Sequence, residues 1–556
     1  MMRLKHLQVG VCALLMILCP SCTYYFGPNK LVKHFKDAPQ THSAVTQYQG
    51  SFATQADYNT SDSLITFYAD KPLPDKKVVG HTDAVRIIIA KLIQKREVEQ
   101  VNDFIMELTP WSGHGTQWAL HPHGDYDFTE ITWCSLLYLF GEQPQLLYPA
   151  TREHLVNMLI ENSGNKQALR TPGMLGMMRE TENHILMGEV SRYLKNQWLH
   201  EHGDTTFIND NSRNGIDTWM LNHLDEKFKT GFYEFNSDPY SGYSVTALNT
   251  LFSFTHSDTM RKAANKLLNE VMYEYSLSSI NQSRYPPFRR QIHRAWRTAF
   301  DSDPVSSVVR VLVNLKTGTA LPVEAKQHGL MTLLLHYRLN KDLTHCLTEK
   351  DSDYFVQLGH SRKGSPEIYS GGKGFVLSAG GVQRGHASQL APRPTVLLMN
   401  DHIMNRDSCF YICSKGKLER WNNTGVYQNF AVANDSLHIP PQYVPAYQTG
   451  NWKIFQFADR HFDLITYRQP GVALMLIIEG TETTDPGILL SAIILNNKHN
   501  DLRKAFTIAG MGDIIYDVKS PKNRWVIKSL NGKLLDRKFD QWPRQRVTYK
   551  VHLFKM

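Results

Sequence analysis

The chain has 556 residues, of which 42% are hydrophobic and 20% charged, an ordinary globular composition that excludes a mainly disordered, collagenous or coiled-coil protein. At about 150 residues per domain, this length holds roughly three to four units, or two large ones. The formal charge of +9 comes from 61 Lys and Arg against 52 Asp and Glu, spread without a basic block, so the surplus suits an acidic polymer and nucleic acid is not expected as a partner.

Arg3 and Lys5 precede an apolar run from Leu7 to Leu18, followed by Cys19-Pro20-Ser21-Cys22. The run is too short to span a bilayer comfortably and reads as an export signal. The small residue before Cys22 resembles a bacterial lipoprotein cleavage site. Residues 1–22 are therefore expected to be a signal peptide with Cys22 the lipidated residue, and 23–45 a tether. The protein is then exported to the periplasm or the cell surface and meets the membrane only through its lipid; ordinary secretion is the alternative. No later run is long and apolar enough for a membrane span. The remaining cysteines, Cys134, Cys346, Cys409 and Cys413, form no disulfide framework and have no zinc-site spacing; no cofactor is expected, and a structural zinc in the β half stays open.

From Thr82 to Leu339 apolar residues recur at helical spacing: Ala84 to Met106, Thr129 to Phe140, Arg152 to Ile160, Thr181 to Trp198, Ile216 to Leu224, Ser244 to Phe254, Thr259 to Tyr275 and Gly329 to Tyr337. No strand pattern interrupts them. Helices of this length joined by Gly-, Pro-, Asn- and Asp-rich loops suggest an (α/α) toroid over 46–345, although a plain helical array has the same periodicity. After Asp351 short β-rich runs follow: Gly374 to Ser378, Thr395 to Leu398, Ser408 to Cys413, Trp452 to Phe457, Phe462 to Tyr467, Val472 to Ile478, Ile488 to Leu495 and Trp525 to Ile527. They predict an antiparallel β-sandwich over 346–556, so the fold class is multidomain α then β. Gly371-Gly372-Lys373-Gly374 lacks the spacing of a phosphate loop and reads as a hairpin turn.

Three stretches carry residues suited to chemistry. Thr181 is a plausible N-cap and Glu182 suits a first helical turn, which puts Asn183 and His184 where free backbone N–H groups and the helix dipole favour an anion. The same pair can instead cap and pack. Gly231 to Tyr243 brings Tyr233, Tyr240 and Tyr243 to the start of the next helix, as site residues or as core aromatics. Trp111, His114, Trp118, His121, His123, Asp125 and Asp127 cluster around a Pro-Gly turn; they read as a structural turn, a sugar-contacting wall with Trp118, His123 and Asp125, or a metal site, with Asp127 capping the following helix.

The run Thr181-Glu182-Asn183-His184, with Tyr240 following His184 by 56 residues in Pro239-Tyr240-Ser241-Gly242-Tyr243, resembles the alginate lyase and heparinase II/III-like polysaccharide lyases. Pro366-Glu367-Ile368-Tyr369-Ser370 and Phe375 to Gly381 are similar to the start of that group's β domain. The resemblance implies an α/α toroid followed by an antiparallel sandwich, and β-elimination at a uronic acid in an acidic polysaccharide. Asn183 and His184 match positions that neutralise the uronate carboxylate or assist the base. Tyr240 matches the tyrosine that protonates the glycosidic oxygen and, in syn elimination, also takes the C5 proton. A phenol acting as base needs nearby cations, for which Arg179, Arg289, Arg290 and His293 are available. Arg179, Tyr243 and Tyr369 join the expected substrate contacts, Tyr369 reaching the cleft from the β domain. Two other readings stay open. One is a glycoside hydrolase using carboxylates among Glu180, Glu182, Asp125 and Asp127; the other is a glycan-binding lipoprotein without catalysis.

Overall fold

The computed structural model describes residues 59 to 549 apart from 60–61, 77–82, 112–123, 165–180, 291–293, 295–296, 301–302, 319–326, 351, 361–365, 381–389, 392, 401–404, 415–424, 458–461, 481–484, 521–523 and 545. Helices come first: α1 (Ser63–Ala69), α2 (Ala84–Ile93), α3 (Val98–Met106), α4 (Asp127–Phe140), α5 (Pro149–His154, running into a π-helical turn Leu155–Leu159), α6 (Glu182–Glu201), α7 (Ile216–Thr230), α8 (Tyr240–Phe254), α9 (Asp258–Ser278), α10 (Pro304–Thr317), α11 (Gln327–Leu334) and α12 (Lys341–Thr348). Their apolar stripes meet in one core: α4 packs on α6, α6 on α8, α8 on α9 and α10 on α11. Strands β4 (Tyr354–Leu358), β5 (Glu367–Gly372), β6 (Phe375–Gly380), β8 (Thr395–Met399), β9 (Phe410–Ser414), β12 (Asp435–His438) and β21 (Arg546–Tyr549) form a seven-stranded antiparallel sheet in the order β12-β9-β8-β6-β5-β4-β21. A six-stranded sheet, β10 (Val426–Tyr427), β11 (Phe430–Ala433), β16 (Val472–Glu479), β15 (Phe462–Gln469), β14 (Trp452–Gln456) and β13 (Tyr447–Thr449) in spatial order, shares a core with it. A four-stranded meander, β17 (Ala505–Ile508), β18 (Gly512–Tyr516), β19 (Ile527–Leu530) and β20 (Lys533–Leu534), adds Phe506, Ile514 and Ile527 to that core. The α-then-β layout expected from the two periodicities is the one observed, with the change of texture between Thr348 and Tyr354.

The seven-stranded sheet is covered on both faces. Phe355, Ile368, Phe375 and Leu377 point into the sandwich, while Tyr354, Val356 and Tyr369 join the helical core. Val376, Val396 and Leu398 pack with Ile280, Tyr285 and Phe300 of the segment after α9. Because side chains alternate along a strand, one sheet serves two cores, and β4, β5, β6 and β8 are accordingly buried along their whole length.

Three departures from the sequence reading have local causes. The run Ile488 to Leu495, expected as a strand, is helix α13 (Pro486–Asn497). A continuous apolar run does not distinguish strand from buried helix; Asp485, which accepts from the Ile488 N–H at 2.9 Å, and Pro486 in the first turn start the helix. The helical half is also interrupted by the two-residue strands β1 (Ser279–Ile280), β2 (Ser283–Arg284) and β3 (Phe288–Arg289); β3 pairs with β7 (Leu390–Ala391) and so links the two halves. The valine-rich α10 was not among the periodic runs. Its β-branched residues are weak helix formers, and Asp303, accepting from the Val305 N–H at 2.8 Å, together with Pro304, fixes its start. The Gly372–Phe375 pair closes a hairpin through Lys373-Gly374, as the glycines suggested.

Gly242, in the first turn of α8, lies against α11 and α10: a Cβ there would fall 2.5 Å from His328 Cδ2 and 2.8 Å from Pro304 Cβ. The helix propensity gained by Gly242→Ala, about 1 kcal/mol, is outweighed by this overlap, and we expect a net loss of about 1–3 kcal/mol, read from the urea midpoint at constant m-value.

Candidate functional site

Glu182 opens α6 and is enclosed. It accepts from Lys227 Nζ at 2.8 Å and from the backbone N–H groups of Tyr233 and Glu234 at 2.9 and 2.8 Å. Burial pushes its carboxyl above the ordinary value, while Lys227 and the backbone donors pull it down. The contact ties the 231–239 loop to the start of α6. The same loop is held further along by Asn236, which donates to Pro287 O at 3.1 Å and to Glu367 at 2.6 Å, and by Asp238, which accepts from Arg294 at 2.8 Å and Arg297 at 3.4 Å. Tyr240 therefore starts α8 from a loop anchored at three points.

The next two residues of α6 face the same region. Asn183 is 1% exposed; its Oδ1 accepts from the Thr181 hydroxyl at 2.7 Å, and its Nδ2 has no partner among the described residues. Thr181 occupies the N-cap position as expected, but its hydroxyl serves Asn183 rather than the helix backbone. His184 Nδ1 lies 2.9 and 2.7 Å from the two carboxylate oxygens of Asp127, the first residue of α4, and Nε2 is 3.8 Å from Asp125. Donation from Nδ1 to Asp127 fixes the orientation of the ring, and Nε2 faces the Asp125 carboxylate. Phe128 spaces these groups, its ring 4.8 Å from His184, 6.2 Å from Tyr240 and 4.3 Å from Tyr243. Tyr243 in turn meets His328 edge-on at 4.7 Å. His328 is buried beside the Thr246 hydroxyl, and burial pushes its pKa down to about 3.

Of the cations expected near Tyr240, Arg290 has its guanidinium over the ring, 4.2 Å from the centroid, while Glu234 holds the same guanidinium at 3.2 Å. Arg289 lies instead over Tyr233. Asn183 and Tyr240 line one cavity together with Glu274 of α9, Arg284 of β2, Glu367 of β5 and Arg544.

The structure corrects the reading of Tyr369. It is fully buried, and its hydroxyl donates to Glu367. Alternation along β5 turns Glu367 and Tyr369 to the helices and Ile368 to the sandwich, so Glu367 lines the cavity and Tyr369 supports it from behind. Burial would raise the Glu367 carboxyl, but hydrogen bonds from His360 at 2.6 Å and from Tyr369, with the nearby Arg544 charge, overcome it and hold the group down at about 2. Trp111 packs on the helical core and donates to Glu161. Arg179, Glu180, Trp118, His114, His121, His123, His293 and Cys22 lie outside the described residues. Among the described residues no group of three or more His, Cys, Asp or Glu side chains is arranged to hold a metal ion, none of Cys134, Cys346, Cys409 and Cys413 forms a disulfide, and no helix is long and apolar enough to cross a membrane.

Sequence reasoning did not single out Phe128, Asn236, Glu274, Glu367 or Arg544. Asp127 was in view only as a cap, a metal ligand or a hydrolase carboxylate. A glutamate alternating with a tyrosine in the apolar strand 366–370 was the one available signal for Glu367; nothing local marked Arg544. No family model, curated protein or solved structure matches the chain.

Two outcomes test this arrangement. Glu182→Ala leaves Lys227 buried without its partner and should cost about 3–5 kcal/mol in denaturant unfolding. Glu367 has a folded value near 2 against an ordinary 4.5, so the stability it contributes is present above about 4.5 and is lost as pH falls through 2. Thermal midpoints taken across that window should fall more steeply for the wild type than for Glu367→Gln.

Proposed function

We propose that this protein is a polysaccharide lyase that cleaves a uronic-acid-containing glycan by β-elimination. The observation that carries the reading is the buried Asn183 Nδ2, a donor without a partner among the described residues, next in the chain to a His184 oriented by Asp127 and lining one cavity with a Tyr240 beneath Arg290. Such a donor fits the carboxylate of a uronate. Hydrogen bonding to that carboxylate stabilises the negative charge that develops when the C5 proton leaves, and the effect is largest in a preorganised site screened from water. His184 takes the C5 proton in an anti elimination; Tyr240 takes it in a syn one. The C5–H electron pair becomes the C4–C5 double bond, the C4–O bond breaks, and the leaving oxygen receives a proton from Tyr240. The roles are thus divided: Asn183 binds the carboxylate, His184 or Tyr240 moves the proton, and Asp127 orients the imidazole.

The helical half is read as an (α/α) toroid whose open end carries this site. The protein is read as exported and anchored through Cys22, close to polymers outside the cell. A hydrolase needs two carboxylates facing each other across the scissile bond. Asp125 and Asp127 both address the His184 ring, and Glu182 is enclosed by Lys227 and backbone donors, which favours elimination over hydrolysis.

The test is ultraviolet absorbance from the conjugated alkene that elimination leaves and hydrolysis does not, with residues 23–556 incubated against a panel of uronate polysaccharides. Tyr240→Phe should lower kcat by about 10²–10⁴, and Asn183→Ala by about 10²–10³. New reducing ends without absorbance would establish a hydrolase instead. Binding with neither signal would establish a non-catalytic glycan-binding protein.

A further inference from the structure

Tyr240 is the first residue of α8, and no side chain caps that helix. Pro239, at the cap position, has no side-chain oxygen to accept from the N–H groups of the first turn. The first acceptor is instead the Ser237 carbonyl, which takes the Ser241 N–H and the Ser241 hydroxyl, both at 2.9 Å. Where α8 begins therefore depends on how the chain enters Ser237.

That entry is made by Asn236, whose backbone stands in the left-handed region with φ of 51°. Glycine adopts this conformation freely, and asparagine and aspartate tolerate it better than other residues with a side chain. The Asn236 amide then ties the turn down, donating to Glu367 at 2.6 Å and to Pro287 O at 3.1 Å. Glu367 is itself fixed in the β half, because its carboxylate also accepts from His360 at 2.6 Å and from the Tyr369 hydroxyl. With three donors on its two oxygens, this carboxylate is committed to protein partners although it lines the same cavity as Tyr240. A continuous set of contacts thus runs from β5 through Asn236 and Ser237 to the first turn of α8. Elsewhere the loop is held independently, by Glu182 at Tyr233 and Glu234 and by Arg294 at Asp238, so loss of the Asn236 bond would shift the turn without releasing the loop.

We propose that Asn236 is a positioning residue for Tyr240: pinned by Glu367 from the β half, it fixes the turn that starts α8 and so aims the phenol at the leaving oxygen. Neither Asn236 nor Glu367 touches the reacting atoms in this role. The inference rests on the lyase reading, which makes Tyr240 the proton donor, and it gives a contact between the two halves a share of the rate. A reacting group displaced by about 1 Å costs about 10² in rate, so a single remote hydrogen bond is enough to matter.

The experiment is the ultraviolet assay on the wild type, Asn236→Gly and Asn236→Asp, each alone and combined with Tyr240→Phe, at a temperature below every melting midpoint. Asn236→Gly keeps the left-handed turn and removes the amide; kcat should fall about 10- to 100-fold with KM within about twofold. Asn236→Asp keeps the turn but sets a second carboxylate against Glu367, and should lose at least as much. In the Tyr240→Phe background either change should lower the residual rate less than about threefold, because its effect passes through a phenol that is no longer there. A purely structural role gives the same fold-loss in both backgrounds. Such additivity, or wild-type kcat in either single variant, overturns the positioning role while the wild type's absorbance leaves the lyase standing. A wild type silent against every uronate polysaccharide overturns the lyase reading and this inference with it.

Discussion

A carboxylate at the start of one helix organises the site. Glu182 collects the Lys227 ammonium and two backbone N–H groups of a loop about fifty residues further along the chain, and every other position follows from that tie. An enclosed acid is costly to desolvate, so the arrangement persists only while all of its donors are in place. The loop is therefore specified rather than merely tolerated. With it fixed, Asn183 and His184 follow Glu182 along α6, and Tyr240 follows the anchored loop into α8.

The second organising feature is the sheet that faces two ways. β5 presents Ile368 to the sandwich and Glu367 and Tyr369 to the helices, so the β half supplies part of the cavity wall without a dedicated insertion. Phe235 stacks on His360 at 3.7 Å and Asn236 bonds Glu367, so adjacent residues of the anchored loop grip the β half. The cavity is polar at its walls because ionic partners from both halves meet there, and apolar between them because helix faces reach it from α8, α9 and α10.

Much of the architecture was legible in the sequence because it is periodic. The helical runs, the change to short strands and the hairpin at Lys373-Gly374 are local patterns, and local patterns report local structure. Ile488 to Leu495 misled because an apolar run has no period, whereas the Asp485-Pro486 start signal beside it pointed to the helix that forms. In the site, Asn183, His184 and Tyr240 stood out by residue type and helix position; Asn183 and Tyr240 line one cavity, while Phe128 contacts the His184 and Tyr240 rings and Asp127 holds His184. Their supports did not stand out, because Asp127 is 57 residues from His184, Glu367 is 131 from Asn236 and Arg544 is 270 from Glu274. Pairings at such distances leave no spacing to read, and Tyr369 was misplaced for the same reason: its residue type suits a cleft, but strand parity decided which way it points.

The position of Arg544 bears on the order in which the molecule assembles. Its guanidinium lies against Gly231 and Glu274 of the helical half, yet it follows almost the whole β half in the chain. While the chain is being made, the helices exist before this arginine does, and Glu274 then has no counter-charge from it. The cavity wall is consequently among the last surfaces to close. A chain that has folded its helices alone holds the groups of the rim without the chamber behind them, so the protein acquires its complete site only when both halves have met.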